Sequence, residues 1–158
     1  MSLLIVYSSK YGATEKTAEH LVKFYGNEAY LLNLKNRLKQ DLNLEKYDSI
    51  ALGGSIYVGK IQKEIKKFCD KYQNEILKKK LGLFICCGSD DEIDKYFKDS
   101  FGNELFSHSV YNAHFGYEYN FERMTFLNKI IVKKIAGINK SESNILMKNI
   151  KKMAELLK

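Results

Sequence analysis

The stretch that decides the fold lies at residues 3–14 and reads LLIVYSSKYGAT. Residues 3–7 form a continuous apolar run rich in β-branched and aromatic side chains, which is typical of a strand covered on both faces. Apolar residues return at helical spacing after Thr14, so the intervening loop joins a buried strand to the start of a helix. The first backbone N–H groups of a helix lack internal partners and carry a partial positive charge. The sequence therefore predicts an anion-binding loop here.

The residue types in this loop suit a phosphate group. Ser9 and Thr14 offer hydroxyl donors, and Gly12 lets the backbone approach a ligand closely. The alternative is a plain helix cap, because Ser and Thr are common at helix starts without any ligand. The glycine spacings of dinucleotide-binding and P-loop proteins are absent from the sequence, which argues against those classes. The candidate phosphate contacts are Ser9, Lys10, Tyr11, Gly12, Ala13 and Thr14.

Strands and helices alternate along the rest of the chain. Apolar runs predict further strands at 29–34, 49–52, 81–87 and 110–115, and Gly53 and Gly54 are expected to end the third strand. Helical periodicity predicts helices at 14–25, 61–72, 90–101, 121–136 and 144–157, with residues 141–143 as caps of the last helix. Five strands alternating with helices indicate one α/β domain over residues 1–158, in which a doubly wound parallel sheet has helices on both faces.

Composition narrows the function classes. Hydrophobic residues make up 45% of the chain, which excludes wholesale disorder, and no apolar run approaches the length of a membrane-spanning helix. Three cysteines without a disulfide or metal-ligand pattern suggest a cytoplasmic protein without a bound metal. The net charge of +7 indicates either lysine-rich solvated helix faces or an anionic partner. No nucleic-acid-binding motif is present, so we expect no nucleic acid partner.

The pattern Ile5-Val6-Tyr7-x-Ser9-x-x-Gly12-x-Thr14, continued by apolar residues at 18 and 21, resembles the FMN-phosphate signature of flavodoxins. The resemblance implies a flavodoxin-like five-stranded sheet of order 2-1-3-4-5 and FMN as the cofactor. The sequence departs from that signature at Lys10 and Tyr11, where typical flavodoxins carry Gly and Thr.

Two further loops are expected to border the flavin ring. Residues 53–60 read GGSIYVGK, in which Tyr57 offers an aromatic plane and the Val58–Gly59 region a backbone acceptor for N5–H of the reduced flavin. Residues 86–91 read CCGSDD and resemble the third flavodoxin loop with Ser89 inserted. We expect backbone amides of this loop to contact the ring, and an ordinary strand-to-helix turn is the alternative for residues 53–60. The candidate ring contacts are Ser55, Ile56, Tyr57, Val58, Gly59, Cys87, Gly88 and Ser89.

The chain is basic, whereas flavodoxins that carry electrons are typically acidic. Residues 115–137, together with the loop at 53–59, resemble the menaquinone-dependent protoporphyrinogen dehydrogenase branch of the flavodoxin superfamily. This resemblance implies an oxidoreductase that takes electrons from a porphyrinogen and passes them to a quinone; it identifies no catalytic residue. The first alternative is a small carrier that exchanges electrons with a redox partner protein. The second is a binding domain that has lost its flavin, although the intact phosphate loop argues against it.

The predicted helix at 121–136 is apolar around much of its circumference. An inward stripe is expected from Phe121, Met124, Leu127, Ile131 and Ile135. The opposite side of this predicted helix carries lysines and further apolar residues. This pattern predicts that the helix contacts the inner face of a membrane peripherally, or a large planar substrate. The alternative is a helix that is buried more deeply than usual. His108 and His114 are candidates for proton handling near the site.

Overall fold

The computed structural model describes residues 1–36 and 41–158. Five strands pair in parallel in the order β2-β1-β3-β4-β5, which confirms the predicted flavodoxin-like topology. These strands are β1 (Leu3–Tyr7), β2 (Ala29–Asn33), β3 (Ser49–Ser55), β4 (Lys80–Cys86) and β5 (Tyr111–His114). A separate antiparallel pair joins β6 (Gly116–Tyr119) to β7 (Glu142–Ile145).

Six α-helices are present in residues 1–36 and 41–158. They are α1 (Ala13–Tyr25), α2 (Lys63–Ile76), α3 (Ile93–Phe101), α4 (Asn103–His108), α5 (Phe126–Ala136) and α6 (Met147–Leu156). Two single 3-10 turns lie at Leu34–Asn36 and Phe121–Arg123. The third helix begins at Ile93 rather than at residue 90, and Glu92 before it adopts a left-handed backbone.

The alternation of side chains along β1 separates two apolar cores. Leu4 and Val6 pack into the core that α2 and α3 cover. Leu3 and Ile5 point to the other face, where α1 and α6 close the core. Both faces of this central strand are therefore dry, as the continuous apolar run in the sequence predicts.

Residues at and after α6 contact the sheet on the face that α1 also covers. The hydroxyl of Ser49, the first residue of β3, donates to the carbonyl of Leu157 (2.7 Å). Ile150, Met153 and Leu157 are fully buried against this face. The closing helix thus completes the core that α1 begins.

The prediction that Gly53 and Gly54 end the third strand is wrong. The strand continues through both glycines to Ser55, and Gly53 pairs with Phe84 of β4. The Phe84 ring lies directly against Gly53, where a Cβ atom would collide with it. These glycines therefore do not form a turn; they lie inside the strand and permit close packing against it.

The predicted helix at 121–136 is also corrected. Only residues 126–136 are α-helical, because the chain first forms β6 and then the 3-10 turn. Residues 141–143 are not caps of the last helix, since β7 spans Glu142–Ile145 and α6 begins at Met147. Gly116, at a φ of +88°, lies against the carbonyl of Asn144, so the antiparallel pair of β6 and β7 needs a glycine there.

Candidate functional site

Three loops meet at the carboxyl ends of β1, β3 and β4, beside the point where the strand order reverses. This is where doubly wound sheets bind ligands. A narrow cleft of about 50 Å³ lies between the loops. Predicted contacts that line it are Ser9, Lys10, Tyr11, Ala13, Ser55, Ile56, Tyr57, Cys87 and Gly88.

The other predicted contacts lie around this cleft. Val58, Gly59 and Ser89 line a second cleft of about 310 Å³ that adjoins the first. Gly12 lines shallow clefts beside α1, and Thr14 is buried beneath the loop. The structure thus gathers the predicted residues at one edge of the sheet, while their contacts with a flavin stay a prediction.

The phosphate loop has polar groups available for an anion. Gly12, at a φ of +98°, precedes α1, and among the described residues no side chain caps that helix end. The Oγ atom of Ser9 accepts a hydrogen bond from the Gly12 N–H (3.0 Å). The Thr14 hydroxyl is fully buried, and its Oγ1 forms no hydrogen bond of good geometry within the described parts of the chain, although it lies near enough to the Cys86 thiol to lower the pKa of that thiol in part. An unsatisfied buried hydroxyl is costly, so it indicates a missing acceptor. These groups fit a terminal phosphate.

Two tyrosines connect the first and second loops through α5. The rings of Tyr11 and Tyr57 meet edge to face, with centroids 6.4 Å apart. The Tyr57 hydroxyl donates to Oδ1 of Asn128 (2.5 Å), and Nδ2 of Asn128 donates to the Tyr11 hydroxyl. Asn128 therefore holds α5 across the mouth of the cleft.

The face of Tyr57 is the predicted stacking plane, and a cation lies against it. Nζ of Lys10 lies 4.0 Å from the centroid of the Tyr57 ring. Burial raises the pKa of Tyr57, although the Lys10 charge lowers it in part. Lys10, although it is an exposed residue, therefore brings positive charge beside this aromatic plane.

The second loop contains a strained turn. Tyr57 and Lys60 form a two-way backbone bridge, with N–O distances of 2.9 and 3.1 Å. Between them Val58 and Gly59 both adopt positive φ, at 49° and 72°. A β-branched residue in this conformation is an outlier, and such strain concentrates at functional sites.

The third loop is held by its neighbours. The Cys87 N–H donates to the Gly116 carbonyl (3.0 Å), so this amide is not free for a flavin, contrary to the prediction. Gly88 and Ser89 remain as the candidate amides. The Tyr119 hydroxyl lies against Gly88, where a Cβ atom would collide with it.

The adjacent cysteines are buried thiols rather than a reactive pair. Burial raises the pKa of Cys86 to about 11 and that of Cys87 to about 12. Both thiols therefore stay protonated and weakly nucleophilic at neutral pH. The two side chains therefore act as small apolar residues at the end of β4.

The two histidines separate in space. His114 contacts the Cys87 carbonyl through Nε2 (2.8 Å), next to the third loop. His108 contacts the carbonyl of Lys79, which precedes β4 at the opposite end of the sheet. A role for His108 at the cleft is therefore excluded by distance along the strand.

The face that α5 turns inward differs from the predicted stripe. Met124 and Val132 are buried, while Leu127 and Ile135 are 71% and 66% exposed. The helix begins only at Phe126, so residues before it do not share its periodicity. None of the helices in the described residues is long and apolar enough to cross a membrane.

Sequence reasoning missed the contributions of Arg123 and Asn128. Both lie on the segment after β5, whose assignment as one continuous helix gave their side chains no special position. Arg123 lies beside Gly12: a Cβ atom at residue 12 would be 2.7 Å from Nη1 of Arg123. Within residues 1–36 and 41–158, no cluster of three or more acidic, His or Cys side chains could hold a metal ion.

The sequence and the structure were compared with those of known proteins. The Flavodoxin domain family matches residues 4–145, and no curated protein matches the chain. The structure is similar to oxidised flavodoxin 1 from Bacillus cereus (15% identity, TM-score 0.59, 99% of this chain and 97% of that one). It is also similar to a flavoprotein in complex with FMN from Lactobacillus acidophilus (18% identity, TM-score 0.51, 73% and 91% covered).

A third similarity is to rubredoxin oxygen:oxidoreductase from Desulfovibrio gigas (14% identity, TM-score 0.58). The match covers 99% of this chain but only 35% of that protein, so it concerns one part of a longer enzyme. At such identities structural likeness shows the fold, whereas the family match spans most of the sequence. The chain therefore belongs to the flavodoxin domain family, and FMN is its expected cofactor.

Proposed function

We propose that this chain binds FMN in the cleft between its three loops and works as a redox protein. The observation that carries the proposal is the unpartnered, buried hydroxyl of Thr14 at the amino end of α1, directly beside an aromatic cleft. One end of the site thus suits a phosphate and the other a planar ring. Bound FMN would supply one- or two-electron transfer chemistry.

The protein's own residues would bind and orient the cofactor. The loop amides and Thr14 would hold the phosphate, and Gly88 and Ser89 would offer backbone amides to the ring. Tyr57 and Tyr119 would form apolar walls that exclude water. Lys10 would add positive charge near the ring, which favours a reduced, negatively charged cofactor and raises its potential.

Binding can be tested with FMN and riboflavin, which differ only by the phosphate. We expect Thr14→Val to weaken FMN binding about 3- to 10-fold and to leave riboflavin binding unchanged, as the loss of one hydrogen bond predicts. Thr17→Val is the matched control, because the Thr17 hydroxyl already donates to the Thr14 carbonyl (2.9 Å). Calorimetry on the apoprotein gives both affinities. No affinity for FMN in the unaltered protein would refute the proposal.

For the substrate we propose a porphyrinogen, with a quinone as electron acceptor, as in the dehydrogenases that residues 115–137 resemble. The second cleft supports this: it shares Tyr57 and Gly88 with the first and has Ile131 and Ile135 of α5 in its wall. A cleft of about 310 Å³ beside the flavin loops, lined mainly by apolar and aromatic residues, suits a planar molecule.

The alternative is a small carrier that exchanges electrons with a protein partner. It is favoured by the exposure of Val58, which is 58% accessible at the edge of the site and open to an approaching protein. Turnover of protoporphyrinogen with a quinone acceptor separates the two. The enzyme hypothesis predicts turnover that Ile135→Ser slows without changing FMN affinity. The carrier hypothesis predicts no turnover and fast electron exchange with a reductase or ferredoxin.

Peripheral membrane contact is a further part of the proposal, narrowed from residues 121–136 to α5. Phe126 and Leu127 are 77% and 71% exposed, and the helix carries three lysines and no acidic residue. An apolar and basic surface of this kind binds anionic lipid. We expect cosedimentation with phosphatidylglycerol vesicles, and less of it after Phe126→Ser. Val110→Ser, at an exposed apolar residue elsewhere, is the control.

A further inference from the structure

The 3-10 turn at Phe121–Arg123 brings a guanidinium group over the phosphate loop. Nη1 of Arg123 would lie 2.7 Å from a Cβ atom at residue 12, so the side chain covers the exposed side of Gly12. Arg123 also lines the shallow clefts on both sides of this glycine. More than one hundred residues of sequence separate the two groups, which explains why the loop pattern alone does not reveal the contact.

The charge of Arg123 is not neutralised by a carboxylate in the described parts of the chain, where it forms no ion pair. Two other nearby cations are engaged, since Lys16 pairs with Glu118 (3.2 Å) and Lys10 lies over the Tyr57 ring. Lys35 also lines one of the clefts beside Gly12. Carboxylates of Glu15 and Glu19 line the adjoining clefts and would repel a doubly charged phosphate. A cation at the position of Arg123 offsets that repulsion.

The buried Thr14 hydroxyl without a partner is an independent sign that a ligand acceptor belongs in this loop. A guanidinium group presents several N–H donors in a planar fork that matches phosphate oxygens. We propose that Arg123 pairs with the terminal phosphate of FMN and makes the site selective for FMN over riboflavin. This inference rests on the proposed function, because it assigns a residue to the same site.

The test compares FMN and riboflavin affinities of the apoprotein by calorimetry. We expect Arg123→Gln to weaken FMN binding about 10- to 100-fold, the range for loss of a charged hydrogen bond, and to leave riboflavin binding unchanged. Arg123→Lys keeps the charge but loses the fork, so an intermediate loss is expected. Lys140→Gln removes an exposed positive charge with no assigned role and controls for the general electrostatic field.

Each outcome decides the matter. Loss of FMN binding alone supports the inference, and a weaker salt dependence of the remaining FMN affinity supports it further. Equal losses for FMN and riboflavin would show a structural role and overturn it, as would an unchanged FMN affinity or an equal effect of Lys140→Gln. If the unaltered protein binds neither ligand, the proposed function itself fails, which is distinct from failure of the Arg123 assignment.

A second readout does not depend on affinity. The peptide bond after Arg123 is a trypsin site on an exposed turn. Saturating FMN is expected to slow cleavage there, as followed by mass spectrometry, whereas saturating riboflavin is not. Cleavage after Arg123 at the same rate with both ligands would overturn the inference.

Discussion

Replacing Val58 by Asn is expected to stabilise the protein, because the turn at this position suits Asn better than Val. Val58 and Gly59 both have positive φ between the paired residues Tyr57 and Lys60. That geometry defines a tight hairpin turn for which Asn-Gly is the preferred pair. A left-handed backbone costs an ordinary residue about 1–2 kcal/mol, and Asn bears it more easily. Val58 is largely exposed, so little burial is lost.

We therefore expect Val58→Asn to raise the free energy of unfolding by about 1 kcal/mol. In a protein of 158 residues this corresponds to a rise in Tm of roughly 2–4 °C. Gly59→Ala is expected to have the opposite sign and a similar size, because Ala would then occupy a left-handed position. Urea unfolding of the apoprotein and a thermal melt measure both changes.

Val110→Asn is the matched control. Val110 is also exposed, but it is not among the described residues with positive φ, so Asn brings no gain there. If Val58→Asn left the urea midpoint unchanged or lowered it, the turn would not be strained and the reasoning would be refuted. An equal gain in Val110→Asn would instead show that replacing any exposed apolar side chain by a polar one is enough.

Four other predictions concern the site and its support. Asn128→Ala is expected to speed both association and dissociation of FMN, because it removes the hydrogen bonds that hold α5 across the cleft. Stopped-flow fluorescence measures both rates. Unchanged rates would mean that α5 does not limit access to the cleft. Gly53→Ala is expected to cost about 1–3 kcal/mol in urea unfolding, because the new methyl group collides with the Phe84 ring; a smaller loss would show that the ring moves aside. Because burial raises the pKa of Cys86 to about 11 and that of Cys87 to about 12, neither thiol is expected to react with a thiol reagent in the native apoprotein at pH 8, whereas both react in urea. Because both thiol pKa values are higher in the folded protein, the protonated thiols stabilise the fold fully below the ordinary thiol pKa near 9. The free energy of unfolding is therefore expected to fall as the pH rises from about 9 toward 12, and a value that stays constant over this range would contradict the prediction.

The sequence was sufficient for the sheet because its strands are unusually clear. The apolar run at residues 3–7 and the loop after it predict a buried central strand with an anion-binding turn, and the family match confirms the class. Local propensity failed where long-range packing decides the structure. Gly53 looks like a strand terminator, but the ring of Phe84 makes it a strand residue.

The segment after β5 could not be predicted from periodicity alone. Its residues pair with β7 and then form a 3-10 turn, and neither pairing nor turn leaves a helical spacing signal. The positions of Arg123 and Asn128 depend on that path. Both side chains reach loops that lie more than sixty residues away in sequence, so only the three-dimensional arrangement identifies them.

The buried contact between α1 and α6 also governs how the protein can be made. Residues 26–146 separate the two helices, and a ribosome that adds about 5–20 residues per second needs on the order of ten seconds to span them. During that interval Leu3 and Ile5 lack their contacts with α6, and the nascent chain exposes an apolar face of the sheet. A chaperone that shields this surface until residues 147–157 emerge would reduce aggregation during synthesis.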